Sequence, residues 1–449
     1  MNLYQDLFFR SLDMLRGRQT ISRLHFLRKS QRWSHERLRQ WQLDRLNALL
    51  QQAQANSTFY AERLADIRLP FKHLDEIEQL PVLSKDDIRS NMDALKCSNI
   101  PESRFVMSRT GGSTGEPIFY FWDKRGMDWN RASVYRSAEW AGTALGEKTA
   151  QMSGSHYDYT QGQKLITRFM YFLQRYRDLP MGAVTEALLE AHWEEIKSFR
   201  PTAIWGYASA IDLLAEFVES HHNDDERSFI RALITSSETL KPEQRQRINR
   251  VFGEGKVYDH YGSREFYLGS ECAQHDGYHL HAEILLVEVV DQDLHAMPPG
   301  ETGRILVTDL SNHAFPFIRY DIGDLGVMAP CSECGCGVNL PRLQSVEGRI
   351  SDIIVLRDRV LTAPNFATLF SDMPGIKAYQ IRQEQLDELK VVVVPDVNYT
   401  QEFADYVMGA IKEMVGDSAR VELIEQDAIE VSESGKRRFI VSDVSGSRF

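Results

Sequence analysis

The sequence predicts a large α/β domain followed by a small α+β domain. The chain has 449 residues, and single hydrophobic cores usually stop growing at about 300 residues. Its middle part alternates helical stretches with short apolar runs, which is typical of α/β domains. After Gly348 and Arg349 the pattern changes to the order βαββαβ. We therefore expect one domain over residues 1–349 and a second over residues 350–449.

The N-terminal part is predicted to be helical. Apolar residues recur every three to four positions between Trp33 and Ala55, which is the period of an amphipathic helix. Ser84 is followed three positions later by Asp87, the spacing of a helix N-cap and its capping acid. A second helix is therefore expected to begin at Ser84.

Short apolar runs in the middle of the chain are predicted to be buried strands. They cover residues 202–207, 231–235, 256–261, 284–290 and 303–310. Beyond residue 349 we expect a strand at 352–356, a helix at 365–373, strands at 376–382 and 389–394, a helix with Phe403 and Val407 on its apolar face, and a strand at 420–424. This order is that of a ferredoxin-like domain.

Composition narrows the function classes. The chain has 52 Lys and Arg against 64 Asp and Glu, a net charge of −12, which disfavours a broad nucleic-acid footprint. No uncharged apolar run approaches the roughly 18 residues of a membrane span, and no signal-peptide pattern begins the chain. We expect a cytoplasmic protein without a transmembrane segment. The first 39 residues are basic and partly apolar, so a membrane-surface helix is the alternative there.

Glycines and hydroxyl side chains are concentrated in residues 108–117. Glycines allow backbone N–H groups to turn inward and hydroxyls add donors, so this loop could surround phosphate oxygens. A flexible surface loop explains the composition equally well. Because Gly115 is followed by Glu116 and Pro117, a Walker-type loop is excluded.

The motif at residues 110–117 resembles the signature loop of adenylate-forming enzymes, the superfamily of acyl-CoA ligases. It departs from the usual pattern at Gly111, where Ser is common, and at Glu116, where Lys is common. The resemblance implies that ATP is bound by Thr110, Gly112, Ser113, Thr114 and Gly115. Thr114 is also a catalytic candidate.

Further motifs follow in the order of this family. Residues 261–265 resemble its Tyr-Gly-x-Thr-Glu segment, which implies that Tyr261 stacks on adenine and that the catalytic candidate Glu265 holds Mg²⁺. Arg264 replaces the Thr of the pattern. The resemblance also assigns ATP or AMP binding to Ser237, Glu238, Asp259, His260 and Gly262.

The last motifs lie in the C-terminal part. Residues 320–324 are similar to Tyr-x-Thr-Gly-Asp, which implies a ribose-binding role for Asp324. Residues 348–352 look like the hinge motif, with Arg349 on ribose or phosphate and Ser351 where Asp or Lys is usual. Ser434-Gly435-Lys436 resembles the C-terminal Gly-Lys loop and makes Lys436 the leading catalytic candidate; without the resemblance it is a basic turn in solvent.

The match is closest to the phenylacetate-CoA ligase branch. Its N-terminal pattern appears at residues 56–60 and 80–87, so the resemblance covers nearly the whole chain. It implies a large AMP-binding domain and a small C-terminal lid that rotates between half-reactions. It also leaves a homodimer open, since relatives are often dimers.

Cysteine and histidine positions resemble a zinc site found in members of that branch. The implied ligands are Cys272, His279, Cys334 and Cys336. Three thiolates and one imidazole suit tetrahedral Zn²⁺, and four protein ligands leave no position for water, so the role would be structural. Cys331 is the alternative ligand, whereas His275 and His281 are expected to be neighbours.

The resemblance implies ATP-dependent activation of a carboxylic acid as an acyl-adenylate, followed by transfer to CoA. Two alternatives are transfer to an amine, for example on a sugar or a biosynthetic intermediate, and a non-catalytic zinc-stabilised nucleotide-binding protein. Trp205, Tyr207 and Arg264 are candidates for the acid pocket. Core packing explains Trp205 equally well, and the sequence does not identify the acid.

Overall fold

The computed structural model describes most of the chain. The described residues are 3–109, 118–153, 169–181, 185–222, 226–330, 334–349, 353–357, 360–362, 366, 370, 375–416, 419–429 and 439–444. Across this part of the chain, no helix combines the length and the apolar character that a membrane span requires.

Helices dominate the N-terminal part. They are α1 (Leu3–Leu15), α2 (Thr20–Ser30), α3 (His35–Asn56), α4 (Thr58–Arg63) and α5 (Lys85–Ser90). Helix α3 confirms the predicted amphipathic helix and buries Leu38, Leu46, Leu49 and Leu50. Ser84 is the N-cap of α5: its Oγ accepts a hydrogen bond from the Asp87 N–H at 3.0 Å, while the Asp87 carboxylate accepts one from the Ser84 N–H at 2.9 Å.

A two-stranded ribbon flanks the glycine-rich loop. Its strands are β1 (Phe105–Arg109) and β2 (Phe119–Asp123), paired antiparallel from Phe105 opposite Asp123 to Arg109 opposite Phe119. Residues 110–117 connect them and lie outside the described residues. Helix α6 (Lys124–Trp140) follows β2 directly.

An eleven-stranded mixed sheet forms the centre of the large domain. Its strands are β3 (Thr149–Ser153), β4 (Tyr176–Pro180), β5 (Ala203–Tyr207), β6 (Ala232–Ser236), β7 (Val257–Gly262), β8 (Tyr267–Ser270), β9 (Tyr278–Leu280), β10 (Leu285–Val290), β11 (Thr302–Asp309), β12 (Tyr320–Met328) and β13 (Arg342–Arg349), in the order β10-β11-β12-β13-β9-β8-β7-β6-β5-β3-β4. Strands β3 to β7 are parallel, and the others are joined by antiparallel pairs.

Helices α7 (Glu186–Phe199), α8 (Ala208–His221) and α9 (Pro242–Phe252) alternate with the parallel strands. They share a core with the strands that includes Trp193, Ile204, Leu214, Leu233 and Ile248. This helix–strand alternation confirms the α/β prediction for the large domain, because helices cover one face of a parallel sheet.

The C-terminal part has its own small sheets. Strands β14 (Ile353–Val355) and β15 (Val360–Thr362) pair with each other. Strands β16 (Ile376–Gln385), β17 (Glu388–Pro395), β18 (Arg420–Glu425) and β19 (Ile440–Ser442) form a second sheet in the order β18-β17-β16-β19. Helix α10 (Gln401–Val415) packs Val407 and Ile411 into the core of this sheet.

The topology differs from the predicted βαββαβ unit at one strand. The strand predicted at 352–356 does not join the four-stranded sheet, because its residues turn back and pair with 360–362. The strand beside β16 at this edge is β19, near the end of the chain, which runs parallel to β16, and β17 pairs directly with β18. Of the helix predicted at 365–373, only residues 366 and 370 are described, and both are helical.

Candidate active site and metal centre

Two predicted nucleotide motifs meet at a hydrogen bond. The Tyr261 hydroxyl, near the end of β7, donates to Asp324 Oδ2 in β12 at 2.7 Å. Asp324 in turn lies opposite Arg349 in the pairing of β12 with β13. The fold thus brings the predicted adenine, ribose and hinge positions together, although they are far apart in the sequence.

Glu265 lies in the tight turn between β7 and β8. It is buried, and its Oε1 accepts a hydrogen bond from the Tyr320 hydroxyl at 3.2 Å. Burial and the neighbouring carboxylate raise the pKa of Tyr320 far above its usual value, so the phenol stays protonated as a donor. Glycine is required at Gly262, since a Cβ there would lie 2.8 Å from the Phe266 carbonyl oxygen.

Ser237 and Glu238 follow β6. Ser237 has a left-handed backbone with φ of +68°, which is uncommon for a residue with a Cβ. Glu238 Oε2 accepts a hydrogen bond from the Ser209 N–H at 3.0 Å, in the first turn of α8. Its negative charge is favourable at this helix N-terminus.

Asp259 is held inside the domain by two hydroxyls. Thr235 donates to Oδ1 at 2.6 Å, and Tyr278 donates to Oδ2 at 2.7 Å. Burial raises the pKa of Asp259 to about 6. The three side chains connect β6, β7 and β9, a contact set that the sequence did not predict.

The pocket candidates differ in exposure. Trp205 is half-buried, and its ring centroid lies 5.7 Å from that of His260. Tyr207 precedes α8 and is half-buried as well. The Arg264 side chain is exposed, and its carbonyl oxygen accepts a hydrogen bond from the Tyr120 hydroxyl at 2.6 Å.

Several predicted site residues cannot be placed. Thr110, Gly112, Ser113, Thr114, Gly115, Cys331 and Lys436 lie outside the described residues, as does the side chain of Arg349. Their roles stay predictions.

The four predicted metal ligands converge around His279 of β9. The ligand atoms of Cys272, His279, Cys334 and Cys336 all lie within 4.8 Å of one another. The Cys272 and Cys334 sulfurs are 3.7 Å apart, too far for a disulfide. A tetrahedral ion with Zn–S bonds of about 2.3 Å separates two sulfurs by about 3.8 Å. The donor set and its spacing therefore fit Zn²⁺.

Backbone groups orient the candidate ligands. His279 Nδ1 lies 3.3 Å from the Leu340 carbonyl oxygen, so it carries the proton and leaves the Nε2 lone pair facing Cys336, whose sulfur is 3.3 Å away. Burial lowers the pKa of His279 to about 4, which keeps the imidazole neutral, as a ligand must be.

The two histidines expected to be neighbours contact other groups. His275 Nδ1 lies 3.3 Å from Glu271 Oε2. His281 Nδ1 lies 2.9 Å from Arg136 Nη2, and its Nε2 lies 3.2 Å from Ser137 Oγ.

Sequence reasoning missed a buried polar network beside this cluster. Arg136 and Glu283 are both fully buried and form an ion pair with an Nη1–Oε1 distance of 2.6 Å. Ser30 donates to the same carboxylate at 2.6 Å. The Trp140 ring stacks on His281 with a centroid distance of 5.6 Å. The network joins α2 and α6 to the segment after β9. Because Arg136 and Glu283 are far apart in the sequence and both residue types are common on protein surfaces, no sequence motif indicates that they pair.

Comparison with known proteins shows which families and relatives this chain resembles. Residues 179–312 match the family of AMP-binding enzymes, and residues 354–443 match the CapK C-terminal domain. Phenylacetate-coenzyme A ligase of Thermus thermophilus is 24% identical over 439 residues, covering 90% of this chain and 96% of the relative. The chain is therefore similar to AMP-binding enzymes over residues 179–312, and over most of its length it is similar to an enzyme named phenylacetate-coenzyme A ligase.

Two further proteins are similar to this chain over most of its length. Protein CapK of Staphylococcus aureus is 24% identical over 401 residues, covering 87% of this chain and 86% of the relative. A crystal structure of 2-hydroxyisobutyryl-CoA ligase in the postadenylation state in complex with 2-HIB-AMP has a TM-score of 0.73 at 22% identity, covering 94% of this chain and 93% of that one. This likeness confirms the adenylate-forming fold of a large α/β domain with a small C-terminal domain.

Proposed function

We propose that this protein is an ATP-dependent, AMP-forming carboxylate ligase that transfers its acyl group to CoA. The observation that carries the proposal is the Tyr261–Asp324 hydrogen bond, because it joins two separate nucleotide motifs at one position in the fold. The relatives named phenylacetate-coenzyme A ligase support the same reaction. The similarity to relatives that are named as ligases disfavours a binding protein without catalysis.

The proposed reaction has two steps. A carboxylate oxygen of the acid attacks the α-phosphorus of MgATP, and the bond to pyrophosphate breaks, which gives an acyl-adenylate. The thiolate of CoA then attacks the acyl carbon, and AMP leaves. The chain's part is to position reactants and stabilise charge.

Each residue has a proposed role in the first step. The 110–115 loop would surround the phosphates, Glu265 would hold Mg²⁺, and Asp324 would accept hydrogen bonds from the ribose hydroxyls. A carboxylate suits this last role because its two oxygens can accept from two adjacent hydroxyls. Lys436 would neutralise charge between carboxylate and phosphate.

The test is a pyrophosphate-exchange screen over a panel of carboxylic acids. For an acid that supports exchange, Lys436→Ala should lower the adenylation rate roughly 10²- to 10³-fold, as removing one transition-state donor does. Lys412→Ala, which changes an exposed lysine on α10, is the matched control and should exchange at the wild-type rate. Unchanged exchange in Lys436→Ala would refute this assignment.

The acceptor of the second step has a second candidate. Residues 354–443 match the CapK C-terminal domain. This family is named after a protein whose name does not mention CoA. We therefore keep an amine as the alternative acceptor. AMP release that depends on an added amine, and not on CoA, would select amide formation.

We propose further that Cys272, His279, Cys334 and Cys336 bind one structural Zn²⁺. The convergence of four donors, three of them thiols, supports this. Metal analysis of the purified protein should give about one zinc per chain, and Cys334→Ser should lower that content and the unfolding midpoint together. Cys97→Ser is the control, since Cys97 is a buried free cysteine outside the cluster. Full zinc content in Cys334→Ser would contradict the site.

A further inference from the structure

His260 is a buried polar side chain whose ring has no partner within the described chain. Its exposed fraction is 3%, and neither Nδ1 nor Nε2 makes a hydrogen bond with any described residue. Buried polar groups in native proteins are almost always hydrogen-bonded. Since no described residue is the partner, the imidazole is left to bind water or a ligand.

The nearest polar ring cannot supply that partner. The His281 ring centroid lies 6.4 Å from that of His260. Both nitrogens of His281 are already engaged, by Arg136 and by Ser137. His260 is otherwise bordered by aromatic faces, with the Trp205 centroid at 5.7 Å and the Tyr267 centroid at 5.0 Å.

His260 points away from the nucleotide motif that follows it. Successive side chains of a strand point to opposite faces of the sheet. Tyr261 reaches Asp324 on one face, and Asp259 meets Thr235 and Tyr278. His260 lies on the other face with Trp205. His260 and the Tyr261–Asp324 hydrogen bond therefore lie on opposite faces of the sheet.

The position of His260 in the sheet is one where α/β proteins commonly bind ligands. His260 is near the carboxyl end of β7 and is in register with Ser236 of β6, which is in register with Tyr207 of β5. In open α/β sheets, ligands bind outside the carboxyl ends of parallel strands. Tyr267, whose ring borders His260, also lines a small cavity together with Asn130, whose Oδ1 makes no hydrogen bond with a described residue.

The protonation state of His260 determines which chemical group of a ligand could hydrogen-bond to it. Burial lowers the pKa of His260 to about 4, so the ring is neutral near pH 7. A neutral imidazole has one donor and one acceptor nitrogen. A hydroxyl group can satisfy either one, whereas a hydrocarbon satisfies neither.

We propose that His260 is a specificity-determining residue that hydrogen-bonds a hydroxyl group on the carbon skeleton of the carboxylic acid. This inference rests on the proposed function and narrows its substrate to hydroxylated acids. Trp205 packs against the carbon skeleton beside that hydroxyl.

The experiment compares acids that differ only by one hydroxyl. The probes are 4-hydroxyphenylacetate against phenylacetate, 3-hydroxybenzoate against benzoate, and 3-hydroxybutyrate against butyrate, and the readout is the ratio of kcat/KM values in pyrophosphate exchange within each pair. In the wild type the hydroxylated acid of the preferred pair should be favoured roughly 10- to 100-fold, the effect of leaving one buried polar group unpaired. In His260→Leu this ratio should collapse to within about 3-fold of unity, since no polar group remains to be satisfied.

Because both acids are assayed on one preparation, partial loss of folded protein does not change the ratio. Tyr258→Phe is the matched control: Tyr258 lies on the same strand and face, two residues earlier, among the apolar residues that Trp205 contacts. It should keep the wild-type ratio, and His260→Gln, which retains a donor and an acceptor, should restore part of it.

A ratio that is unchanged in His260→Leu would overturn the inference, and so would preference for the non-hydroxylated acid in every pair that supports exchange. A raised KM for MgATP in His260→Leu with an unchanged ratio would instead return His260 to the nucleotide. Failure of the proposed function has another signature, because then no acid supports exchange that depends on Lys436.

Discussion

At the scale of single residues, the ion pair of Arg136 and Glu283 makes the stability of the protein sensitive to one substitution. Both side chains are fully buried, and removing one partner leaves a charge without compensation. We expect Glu283→Ala to lower the free energy of unfolding by about 3–5 kcal/mol, as measured by urea denaturation.

The exposed pair of Arg200 and Glu226 provides the control. Its Nη1–Oε2 distance is 3.1 Å, and both side chains are about half exposed. Water compensates either charge when the other is removed, so Glu226→Ala should leave the unfolding free energy almost unchanged. A Glu283→Ala variant as stable as this control would contradict the importance assigned to the buried pair.

Asp309 gives stability a defined dependence on pH. Burial raises the pKa of Asp309 to about 6, whereas the unfolded chain has a value near 3.9. Between these values only the folded state binds the proton, so the contribution of Asp309 rises on acidification from pH 7 to pH 4 and is lost as pH rises through 6.

Asp309→Asn removes this titration. The wild type should therefore gain about 2 kcal/mol over the variant between pH 7.5 and pH 4.5. Urea titrations of the two proteins at both pH values measure the difference, in which the other carboxylates cancel. A difference independent of pH would show that Asp309 is not protonated in the folded protein.

The functional residues that could be identified from sequence are those that belong to a recognisable motif. The resemblance to a family zinc motif predicted the cluster at Cys272 and Cys334, and such a motif is visible in sequence because metal ligands are a small set of residue types. Arg136 gave no such signal, since its partner Glu283 lies far along the chain and both types are common on surfaces. Burial, which alone makes that pair important, is a property of the assembled fold.

At the scale of elements, apolar runs located the buried strands well. The strands predicted at 202–207, 231–235 and 256–261 match β5, β6 and β7 within about one residue at each end. Such strands are apolar on both faces, so their limits are visible in composition. The place of β14 was not predictable, because three apolar residues pair equally well with a sheet or with their own hairpin partner, and tertiary contacts decide between them.

The helix cap at Ser84 offers a direct test of an element boundary. Ser84→Ala removes the acceptor for the Asp87 N–H and should cost about 1 kcal/mol of stability. Ser22→Ala, at an exposed position inside α2, removes a hydroxyl that caps nothing and should be neutral or slightly stabilising, because Ala has the higher helix propensity. Equal effects of the two changes on the urea midpoint would argue against the cap.

At the scale of the whole molecule, we propose that the chain divides into two domains near residue 349, each with its own hydrophobic core. The core around Ile381, Val391 and Ile411 consists of residues from the C-terminal part alone, as expected for a domain with its own core. The largest core, with Leu46, Tyr120 and Phe317, consists of residues from the N-terminal part alone.

A chain ending at residue 349 should therefore fold and bind MgATP but lose adenylation. We expect MgATP at 100 times its Kd to stabilise it by about 2.7 kcal/mol, as it would the full chain. Its pyrophosphate exchange should fall to the level of Lys436→Ala, because it lacks that residue. Exchange at the full-length rate would show that the lid is not needed for the first step.

The 3.7 Å separation of the Cys272 and Cys334 sulfurs matters at the bench. Two thiols this near one another are readily oxidised to a disulfide when no ion holds them apart, and this would remove two ligands of the proposed zinc site until a reductant restores them. Storage with a strong chelator and without reductant would consequently inactivate the preparation by a route unrelated to its substrates. Purification under argon with trace zinc is the matching precaution.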